Sequence, residues 1–322
     1  MTVRNPIIET HGLTRTFTRR GRGLTRTTLT AVDQLSVSVQ PGESVGYIGA
    51  NGAGKSTTIK MLVGILVPTS GTVATCGLNP LRERRALARR IGVVFGQRSQ
   101  LWWDLPVRES FAILASIHGL SAQQRSARTA ELVDQLEMDE FLGAPVRQLS
   151  LGQRMRAEVA AALLHSPELV ILDEPTIGLD VLSKQRLREF LIRERAEHGT
   201  TLLLTTHDMG DIERLCERVL VVDHGALAFD GSLAGLSATV DARRVLVVDL
   251  AEPTKPLTDI AGTTHLDAQS GGLRQRLSFD SATTTAAQVL SAVSQRAEVR
   301  DLAIEEPDIE DVVRQLYQQS RR

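Results

Sequence analysis

The segment covering residues 49–57 constrains the fold of this chain more than any other. It reads GANGAGKST and satisfies the spacing G-x-x-x-x-G-K-[ST] in full. Residues 44–48 before it have the pattern of a strand, and apolar residues recur at helical spacing after it, at Ile59, Leu62, Val63 and Leu66. A strand, a glycine-rich loop and a helix in this order predict a phosphate-binding loop rather than an ordinary glycine-rich turn.

The residue types in this loop suit a nucleoside triphosphate bound with Mg²⁺. Gly49, Gly52 and Gly54 lack a Cβ atom, which lets several backbone N–H groups converge on one anion. The positive end of the dipole of the following helix then faces the phosphates. Lys55 is expected to reach the β- and γ-phosphates, and the Ser56 hydroxyl is placed to ligate the metal ion.

Composition and charge limit the other possibilities. A chain of 322 residues exceeds the length at which one core usually keeps growing, so we expect one large domain and a smaller one. A net charge of -1 gives no reason to expect a nucleic acid partner, and two isolated cysteines favour neither a zinc site nor a disulfide framework. Because the N-terminus lacks the pattern of a signal peptide and the longest apolar run, 61–67, is short, we expect a protein that is soluble by itself in a reducing cytoplasm.

Two unbroken apolar runs end in polar or charged residues. The run at 169–172 leads into Asp173 and Glu174, and the run at 202–204 leads into His207. Such runs are typical of strands that are buried on both faces of a parallel sheet. Because the carboxyl ends of such strands meet at the ligand crevice of an open α/β sheet, we expect these side chains to point into that crevice.

Four other segments of the large domain have recognisable patterns. Alternating residues within the first 48 predict antiparallel strands, and the lone aromatic Phe17 there either stacks on a nucleobase or packs in the core. Helical spacing over about 104–149 predicts an α-helical insertion, and an Arg-rich helix is expected over 82–90. Residues 149–153 read LSLGQ and open the next helix, in which Ser150 and Gln153 have the spacing of a capping box.

The last part of the chain, residues 236–322, predicts a small α+β domain, so the large domain covers residues 1–235. We predict strands at 243–250, 273–279 and 299–304 and a helix at 286–293. A final helix is predicted from apolar residues at helical spacing and a capping aspartate; these are Ile309, Val312, Val313, Leu316 and Tyr317, with Asp308 as the N-cap.

Taken in their order, these motifs resemble those of the ATPase cassette of ABC transporters, over roughly residues 6–233. The resemblance implies a P-loop NTPase fold of the α/β class, with a RecA-like, mostly parallel sheet, an antiparallel β subdomain and an α-helical insertion. It also implies ATP and Mg²⁺ as cofactors and ATP hydrolysis as the reaction. The matching positions are Phe17, residues 49–57, Gln97, residues 149–153, residues 169–174, residues 178–180 and His207.

The resemblance carries roles to individual positions. Glu174 should orient or deprotonate the attacking water, and His207 should contact the γ-phosphate. Asp173 should hold the Mg²⁺ shell with Ser56, and Gln97 should link the metal and the water to the helical insertion. The residues implied to bind ATP are Phe17, Gly49, Ala50, Asn51, Gly52, Ala53, Gly54, Lys55, Ser56, Thr57, Ser150, Gly152, Gln153 and Asp180.

The resemblance implies that two cassettes pair head to tail, so a second copy of the chain or a related cassette is an expected partner. Each ATP would lie between the loop of one cassette and the helix start at Ser150 and Gly152 of the other, with Asp180 crossing the interface. Leu151 departs from the family pattern, which has glycine there. Because the implied phosphate contacts come from the residues on either side, we expect binding to survive with a different local turn.

An integral membrane permease is the other implied partner, at the cytoplasmic face of the membrane. The adjacent Trp102 and Trp103 predict either an exposed anchor for this partner or aromatic residues packed inside. The run around them resembles cassettes that serve exporters of drugs, lipids and polysaccharides. The first alternative is an importer ATPase, although the final helix differs from the longer all-β tail usual there. The second is a soluble ABC ATPase acting on nucleic acid or ribosomes, but this sequence lacks the second cassette, coiled coils and zinc motifs usual in such proteins.

Overall fold

The chain divides into two units, Met1–Ser232 and Leu233–Arg322. The computed structural model describes residues 5–20, 26–96, 98–239, 243–280 and 283–305, together with the three positions 312, 313 and 316.

The first unit is built from nine strands and seven helices among its described residues. The strands are β1 (Ile8–Arg20), β2 (Arg26–Val39), β3 (Ser44–Gly49), β4 (Ser70–Thr75), β5 (Ile91–Phe95), β6 (Leu169–Asp173), β7 (Thr201–Thr205), β8 (Arg218–Asp223) and β9 (Ala226–Ser232). The helices are α1 (Lys55–Leu62), α2 (Arg84–Ala88), α3 (Val107–His118), α4 (Ala122–Gln135), α5 (Leu151–Leu163), α6 (Val181–His198) and α7 (Met209–Leu215).

The main sheet has the strand order β5-β6-β7-β3-β8-β9, and all of its neighbouring strands are parallel except β8 and β9. The apolar residues 169–172 of β6 are at most 1% exposed, as expected for a strand covered on both faces. Strands β6 and β7 lie side by side, which brings Asp173 opposite Thr205 at their carboxyl ends. The predicted parallel sheet with an adjacent pair of polar strand ends is therefore confirmed.

A smaller antiparallel sheet with the order β2-β1-β4 lies beside the main sheet, in agreement with the predicted antiparallel subdomain. One hydrophobic core joins it to the main sheet and to α1, because Ile8 and Leu35 of the small sheet share a cluster with Tyr47 and Ile59. These two layers fix the position of the loop between β3 and α1.

The helical insertion contains α3 and α4, within the range predicted from the sequence. Helix α4 starts with a capping box formed by Ser121 and Gln124. The helix predicted over 82–90 is shorter than expected, with only five residues in α2. A tight turn precedes it, in which Asn79 Oδ1 accepts hydrogen bonds from the backbone N–H groups of Leu81 and Arg82, and the helix begins at Arg84 instead of Arg82.

The second unit contains an antiparallel sheet with the order β11-β12-β10-β13. Its strands are β10 (Arg244–Leu250), β11 (Thr263–Gln269), β12 (Arg274–Phe279) and β13 (Val299–Glu305), and its helices are α8 (Leu233–Thr239) and α9 (Ala286–Ser294). Side chains of α9, Val289 and Val293, pack with Leu246 and Phe279 of the sheet in one hydrophobic cluster. The predicted α+β character of this part of the chain is present in the described residues.

Strand β11 is not among the elements predicted from the sequence, and the predicted final helix lies partly outside the described residues. Strand β11 reads TTHLDAQ, and its described side chains alternate between half-buried and exposed, so it carries no apolar face that would identify it. Val312, Val313 and Leu316 of the predicted final helix are helical and buried, whereas Asp308, Ile309 and Tyr317 lie outside the described residues. Within the part of the chain that the structure describes, no helix is both long and apolar enough to cross a membrane.

Candidate active site

A cavity of about 760 Å³ lies at the carboxyl ends of β3, β6 and β7. Its lining residues are far apart in the sequence and range from Phe17 in β1 to His207, two residues after the end of β7. The lining residues are Phe17, Leu29, Ala31, Ala50, Asn51, Gly52, Gly54, Lys55, Ser56, Thr57, Lys60, Ile65, Phe95, Gly96, Arg98, Asp173, Glu174, Ile177 and His207.

Two different structural requirements explain the glycines of the loop between β3 and α1. A Cβ atom added at Gly49 would lie 2.6 Å from the carbonyl oxygen of Val222, and one added at Gly54 would lie 2.2 Å from that of Ala31. These two glycines let the loop lie directly against β8 and β2. Gly52 has open space around it, but its φ of +84° is a left-handed conformation that favours glycine.

Lys55 is the first residue of α1 and is 9% exposed. Its ammonium group donates hydrogen bonds to the carbonyl oxygens of Gly49 and Ala50, so it lies over the loop. Burial lowers the pKa of Lys55, and the nearby carboxylates of Glu174 and Asp173 oppose this shift. A buried cation at the start of a helix is an arrangement that binds phosphate.

The carboxylates at the end of β6 are held by the neighbouring strand β7. Thr205 Oγ1 donates a 2.5 Å hydrogen bond to Asp173 Oδ1, and the backbone N–H of Glu174 donates to the carbonyl oxygen of Thr205 at 2.9 Å. Glu174 has a φ of +56°, a left-handed conformation that is uncommon for a residue other than glycine. The two carboxylates therefore lie side by side at the cavity wall.

Glu174 and His207 contact each other across the cavity wall. His207 Nε2 lies 3.2 Å from Glu174 Oε1, and the backbone N–H of His207 donates to Glu174 Oε2 at 3.2 Å. The His207 side chain is 52% exposed, so it is not the satisfied core histidine that would be expected by default. An acceptor and a titratable ring at this spacing can orient a water molecule next to a phosphate.

Oxygen donors around the loop fit a hard divalent cation. Ser56 and Asp173 both line the cavity, and the charge of Asp173 acts on Lys55, where it opposes the lowering of the pKa by burial. A hydroxyl and a carboxylate are ligands that Mg²⁺ prefers, alongside phosphate oxygens and water. Gln97, the third metal ligand predicted from the sequence, lies outside the described residues.

Phe17 lies at the end of the cavity formed by the N-terminal strands. Its ring is 38% exposed, and the register of β1 and β2 pairs it with Leu29, which also lines the cavity. The guanidinium carbon of Arg15 lies 4.7 Å from the ring centroid, and Arg15 Nη1 donates to the carbonyl oxygen of Val67 at 2.8 Å. The exposed ring is thus available for stacking on a nucleobase.

The second predicted anion site lies apart from this cavity. Within the described part of the chain, the cavity lining does not include Ser150, Gly152, Gln153 or Asp180. Ser150 caps α5, because its hydroxyl accepts a hydrogen bond from the backbone N–H of Gln153 at 3.2 Å and the Gln153 side chain accepts one from Ser150 at 2.9 Å. The structure thus contains the predicted capping box, and the start of α5 is not part of the described cavity lining.

Asp180 caps the neighbouring helix α6. Its carboxylate accepts hydrogen bonds from the Ser183 hydroxyl at 2.7 Å and from the Ser183 backbone N–H at 2.9 Å, which lower the pKa of Asp180. A Cβ atom added at Gly152 would lie 2.9 Å from the Ser183 hydroxyl, so the starts of α5 and α6 lie directly side by side.

Leu151, which stands where the family pattern has glycine, lies at this junction of the starts of α5 and α6. It is the first residue of α5 and is 40% exposed, and a Cβ atom added at Gly178 would lie 2.7 Å from Leu151 Cδ2. The local turn is therefore a capped helix start, with the leucine side chain packed against the segment between β6 and α6.

Sequence reasoning missed several cavity residues. Leu29, Ile65 and Ile177 are apolar side chains that remain more than half exposed and line the cavity. Lys60 and Arg98 also line it. Leu29 could have been predicted from the pairing of β1 and β2, because that pairing brings its side chain opposite Phe17. The sequence contains no comparable signal for the others.

The fold and the site define a P-loop ATPase cassette, with a glycine-rich loop at a helix start facing two carboxylates and a histidine. A profile of the family described as ABC transporter matches residues 32–177. The chain belongs to the family of ABC transporter ATP-binding proteins, whose cassettes hydrolyse ATP.

Relatives in three bacteria illustrate the range of the match. The chain is 41% identical over 215 residues to the Nod factor export ATP-binding protein I of Paraburkholderia xenovorans, a match that covers 65% of this chain and 68% of that protein. It is 32% identical over 206 residues to the ABC transporter ATP-binding protein NatA of Bacillus subtilis, which covers 64% of this chain and 83% of that one. A second Nod factor export protein, from Cupriavidus metallidurans, is 42% identical, and the match spans 65% of its length.

Solved structures agree with the assignment. An ATP-binding subunit of an ABC transporter superposes with a TM-score of 0.63 at 26% identity, covering 72% of this chain and 92% of that one. A dimeric ATP-binding cassette in a post-hydrolysis state with ADP and Pi superposes with a TM-score of 0.62 at 25% identity, covering 70% and 98%. The family therefore includes cassettes that have been observed as dimers.

Proposed function

We propose that this chain is the ATP-hydrolysing subunit of an exporter, which binds ATP and Mg²⁺ between two cassettes and drives an integral membrane permease from the cytoplasmic face of the membrane. The second cassette is a further copy of the chain or a related one. In this assignment Lys55 and the loop bind the phosphates, Ser56 and Asp173 hold Mg²⁺, and Glu174 and His207 act on the attacking water.

Two helix starts that can bind an anion support this proposal, because among the described residues they do not belong to the same cavity lining. The start of α1 lines the cavity, whereas the start of α5 lies outside the described lining. The N–H groups of Leu151 and Gly152 open α5 and have no intrahelical acceptor. A second cassette that brings its own α5 start to this cavity would place a phosphate between two helix starts.

Chemistry at the cavity follows from the same residues. The carboxylate of Glu174 accepts a proton from, or orients, a water molecule that attacks the γ-phosphate, and the imidazole of His207 stays within 3.2 Å of that carboxylate. Lys55 and the N–H groups of the loop stabilise the charge that develops on the phosphate oxygens. Bound Mg²⁺ would neutralise charge on the β- and γ-phosphates.

Export is favoured over import by the names of two relatives that are at least 41% identical to the chain and are described as export proteins.

The exposed tryptophans support a membrane partner. Trp102 is 38% exposed and Trp103 is 52% exposed, so neither is fully packed inside. Large exposed aromatic side chains of this kind are enriched at protein interfaces.

Purification of the chain from native membranes tests the proposal. A polytopic membrane protein is expected to co-elute with it. Inside-out vesicles that contain this complex, incubated with ATP and a cell extract, should accumulate a compound that mass spectrometry detects, and vesicles with Glu174→Gln should not. Accumulation only in right-side-out vesicles loaded with ATP would mean import. Recovery with ribosomes or nucleic acid and without a membrane protein would contradict the proposal.

A further inference from the structure

Asp211 is a buried carboxylate behind the candidate active site. It lies in α7 and is 0% exposed. Arg188 of α6 is its cationic partner, with Nε donating to Asp211 Oδ1 at 2.6 Å. Because a buried charge is costly unless it is paired and hydrogen-bonded, this carboxylate must be held by its neighbours in one arrangement.

The other oxygen of Asp211 accepts hydrogen bonds from two threonine hydroxyls. Thr206 Oγ1 donates to Asp211 Oδ2 at 3.1 Å, and Thr176 Oγ1 donates to the same oxygen. Both threonines are 2% exposed. Thr176 follows Glu174 by two residues, and Thr206 immediately precedes His207, so one carboxylate oxygen ties together the loops that carry both proposed reacting groups.

These loops are therefore connected at two places. At the cavity, Glu174 and His207 contact each other directly at 3.2 Å. Behind the cavity, Asp211 joins Thr176 and Thr206, and within the described chain none of these three residues lines the cavity. The rear connection can thus act on hydrolysis only through the positions of the two groups in front.

The backbone at Glu174 needs such support. Its φ of +56° is left-handed, and residues other than glycine keep such conformations only where the surrounding structure holds them. The backbone N–H of Glu174 donates to Thr205 at 2.9 Å, and the loop continues to Thr176, whose carbonyl oxygen accepts from Leu179 at 3.1 Å. Release of the Thr176 hydroxyl would loosen the end of this loop.

We propose that Asp211 is a positioning residue for ATP hydrolysis, which holds Glu174 and His207 in register through the hydroxyls of Thr176 and Thr206. The inference rests on the proposed roles of Glu174 and His207. It assigns no contact with ATP to Asp211. Loss of either hydroxyl should therefore slow hydrolysis and leave ATP binding nearly unchanged.

Valine substitutions test this best, because valine has the shape of threonine without the hydroxyl. Asp211→Asn is less suitable, since it removes the buried carboxylate that pairs with Arg188, leaves that arginine with Asp208 at 3.3 Å, and can unfold the unit. Thr176→Val and Thr206→Val are each expected to lower kcat by roughly 10- to 100-fold, because small displacements of reacting groups have effects of this size. The KM for ATP should stay within about twofold, since KM follows binding when chemistry is slow. Thr176→Ser keeps the hydroxyl and should restore kcat to within about threefold.

The matched control is Thr75→Val. Thr75 is 0% exposed, and its hydroxyl donates to the carbonyl oxygen of Leu62 at 2.8 Å, away from the two loops. This variant should lose some thermal stability and keep the parental kcat. Parental kcat in both Thr176→Val and Thr206→Val would overturn the inference. An equal loss of kcat in Thr75→Val, or a loss that Thr176→Ser does not restore, would also overturn it.

Failure of the positioning role of Asp211 can be distinguished from failure of the proposed function. If Glu174→Gln hydrolyses ATP at the parental rate, the assignment of Glu174 itself is wrong, whatever the threonine variants do. If Glu174→Gln is inactive and both valine variants keep the parental kcat, the assignment of Glu174 stands and only the positioning role of Asp211 is refuted.

Discussion

His207 Nε2 lies 3.2 Å from Glu174 Oε1, and the backbone N–H of His207 donates to Glu174 Oε2. One residue thus supports both oxygens of the carboxylate, one through its ring and one through its main chain. Because Glu174 follows β6 and His207 follows β7, the pairing of these strands determines how far apart the two groups are. In the proposed assignment of Glu174 and His207, hydrolysis therefore depends on the register of two buried strands.

Substitution of Glu174 by glutamine should separate ATP binding from hydrolysis. Glutamine keeps the shape of the side chain and removes its negative charge, so the variant should bind ATP and release phosphate about 10²- to 10⁴-fold more slowly. Dimers should accumulate with Mg²⁺ and ATP, which gel filtration detects. Glu168→Gln is the control at the other end of β6, where the carboxylate pairs with Arg90 at 2.6 Å and should not affect turnover. Parental turnover in Glu174→Gln would exclude Glu174 as the base.

Removal of the Lys55 ammonium should weaken ATP binding. Charge-assisted hydrogen bonds contribute about 1.5–3 kcal/mol, so Lys55→Ala should raise the Kd for ATP roughly 10- to 150-fold in a calorimetric titration. Lys255→Ala, an exposed lysine of the second unit, should leave the Kd unchanged. A parental Kd in Lys55→Ala would refute the phosphate role of this lysine.

Loss of the Phe17 ring should weaken ATP binding, and replacement of this ring by another aromatic ring should not. Stacking of a base on an aromatic ring contributes about 1–3 kcal/mol, so Phe17→Ala should raise the Kd for ATP roughly 5- to 150-fold. Phe17→Tyr keeps the stacking surface and should bind ATP as the parent does. Equal affinities of the alanine and tyrosine variants for ATP would show that the ring does not contact the base.

Much of the main sheet could be predicted because its signals are local. The apolar run at 169–172, the loop at 49–57 and the capping pair Ser150 and Gln153 each occupy a few consecutive residues, and the structure contains all three. Strand β11 could not be predicted in this way, because TTHLDAQ has neither an apolar face nor many β-branched residues. It becomes a strand by pairing with β12, a contact that the sequence alone does not reveal.

The support behind the candidate site could not be predicted either. Asp211, Thr176 and Thr206 meet through three separate segments, and each residue alone has the pattern of an ordinary helix or loop residue. The packing of Leu151 against Gly178 likewise follows from the juxtaposition of the starts of α5 and α6. Local patterns thus identified residues proposed to touch ATP, and tertiary contacts identified those that hold them.

Mild acid should destabilise the first unit through two stacked imidazoles. The rings of His118 and His165 lie 3.8 Å apart with planes 10° from parallel. The pKa of His165 is lowered from 6.5 to about 4, mainly by burial and in part by the charge of His118, while a hydrogen bond with Ile91 opposes the shift. The unfolded chain protonates His165 near pH 6.5, but the folded chain does so only near pH 4. The free energy of unfolding should therefore fall by about 2 kcal/mol between pH 7 and pH 5 through this group.

Urea titrations followed by tryptophan fluorescence measure this effect, because both tryptophans belong to the first unit. His165→Gln should lose most of the pH dependence between pH 7 and pH 5. His11→Gln removes a histidine whose side chain is 69% exposed and should retain the parental dependence. An identical pH dependence in the parent and in His165→Gln would mean that another group is responsible.

The exposed tryptophans should be needed for the membrane partner and not for ATP hydrolysis. Trp103 carries the guanidinium of Arg154 at 6.0 Å from its ring, and its carbonyl oxygen accepts from the backbone N–H of Arg147, so the backbone is held while the ring stays 52% exposed. Replacement of Trp102 and Trp103 by alanine should abolish co-purification of the permease and preserve the ATPase rate of the isolated chain. Ile192→Ala removes another apolar side chain, 49% exposed on α6, and should retain the permease. A double tryptophan variant that still co-purifies with the permease would place the docking surface elsewhere on the chain, because buried aromatic anchors carry most of the binding energy at such interfaces.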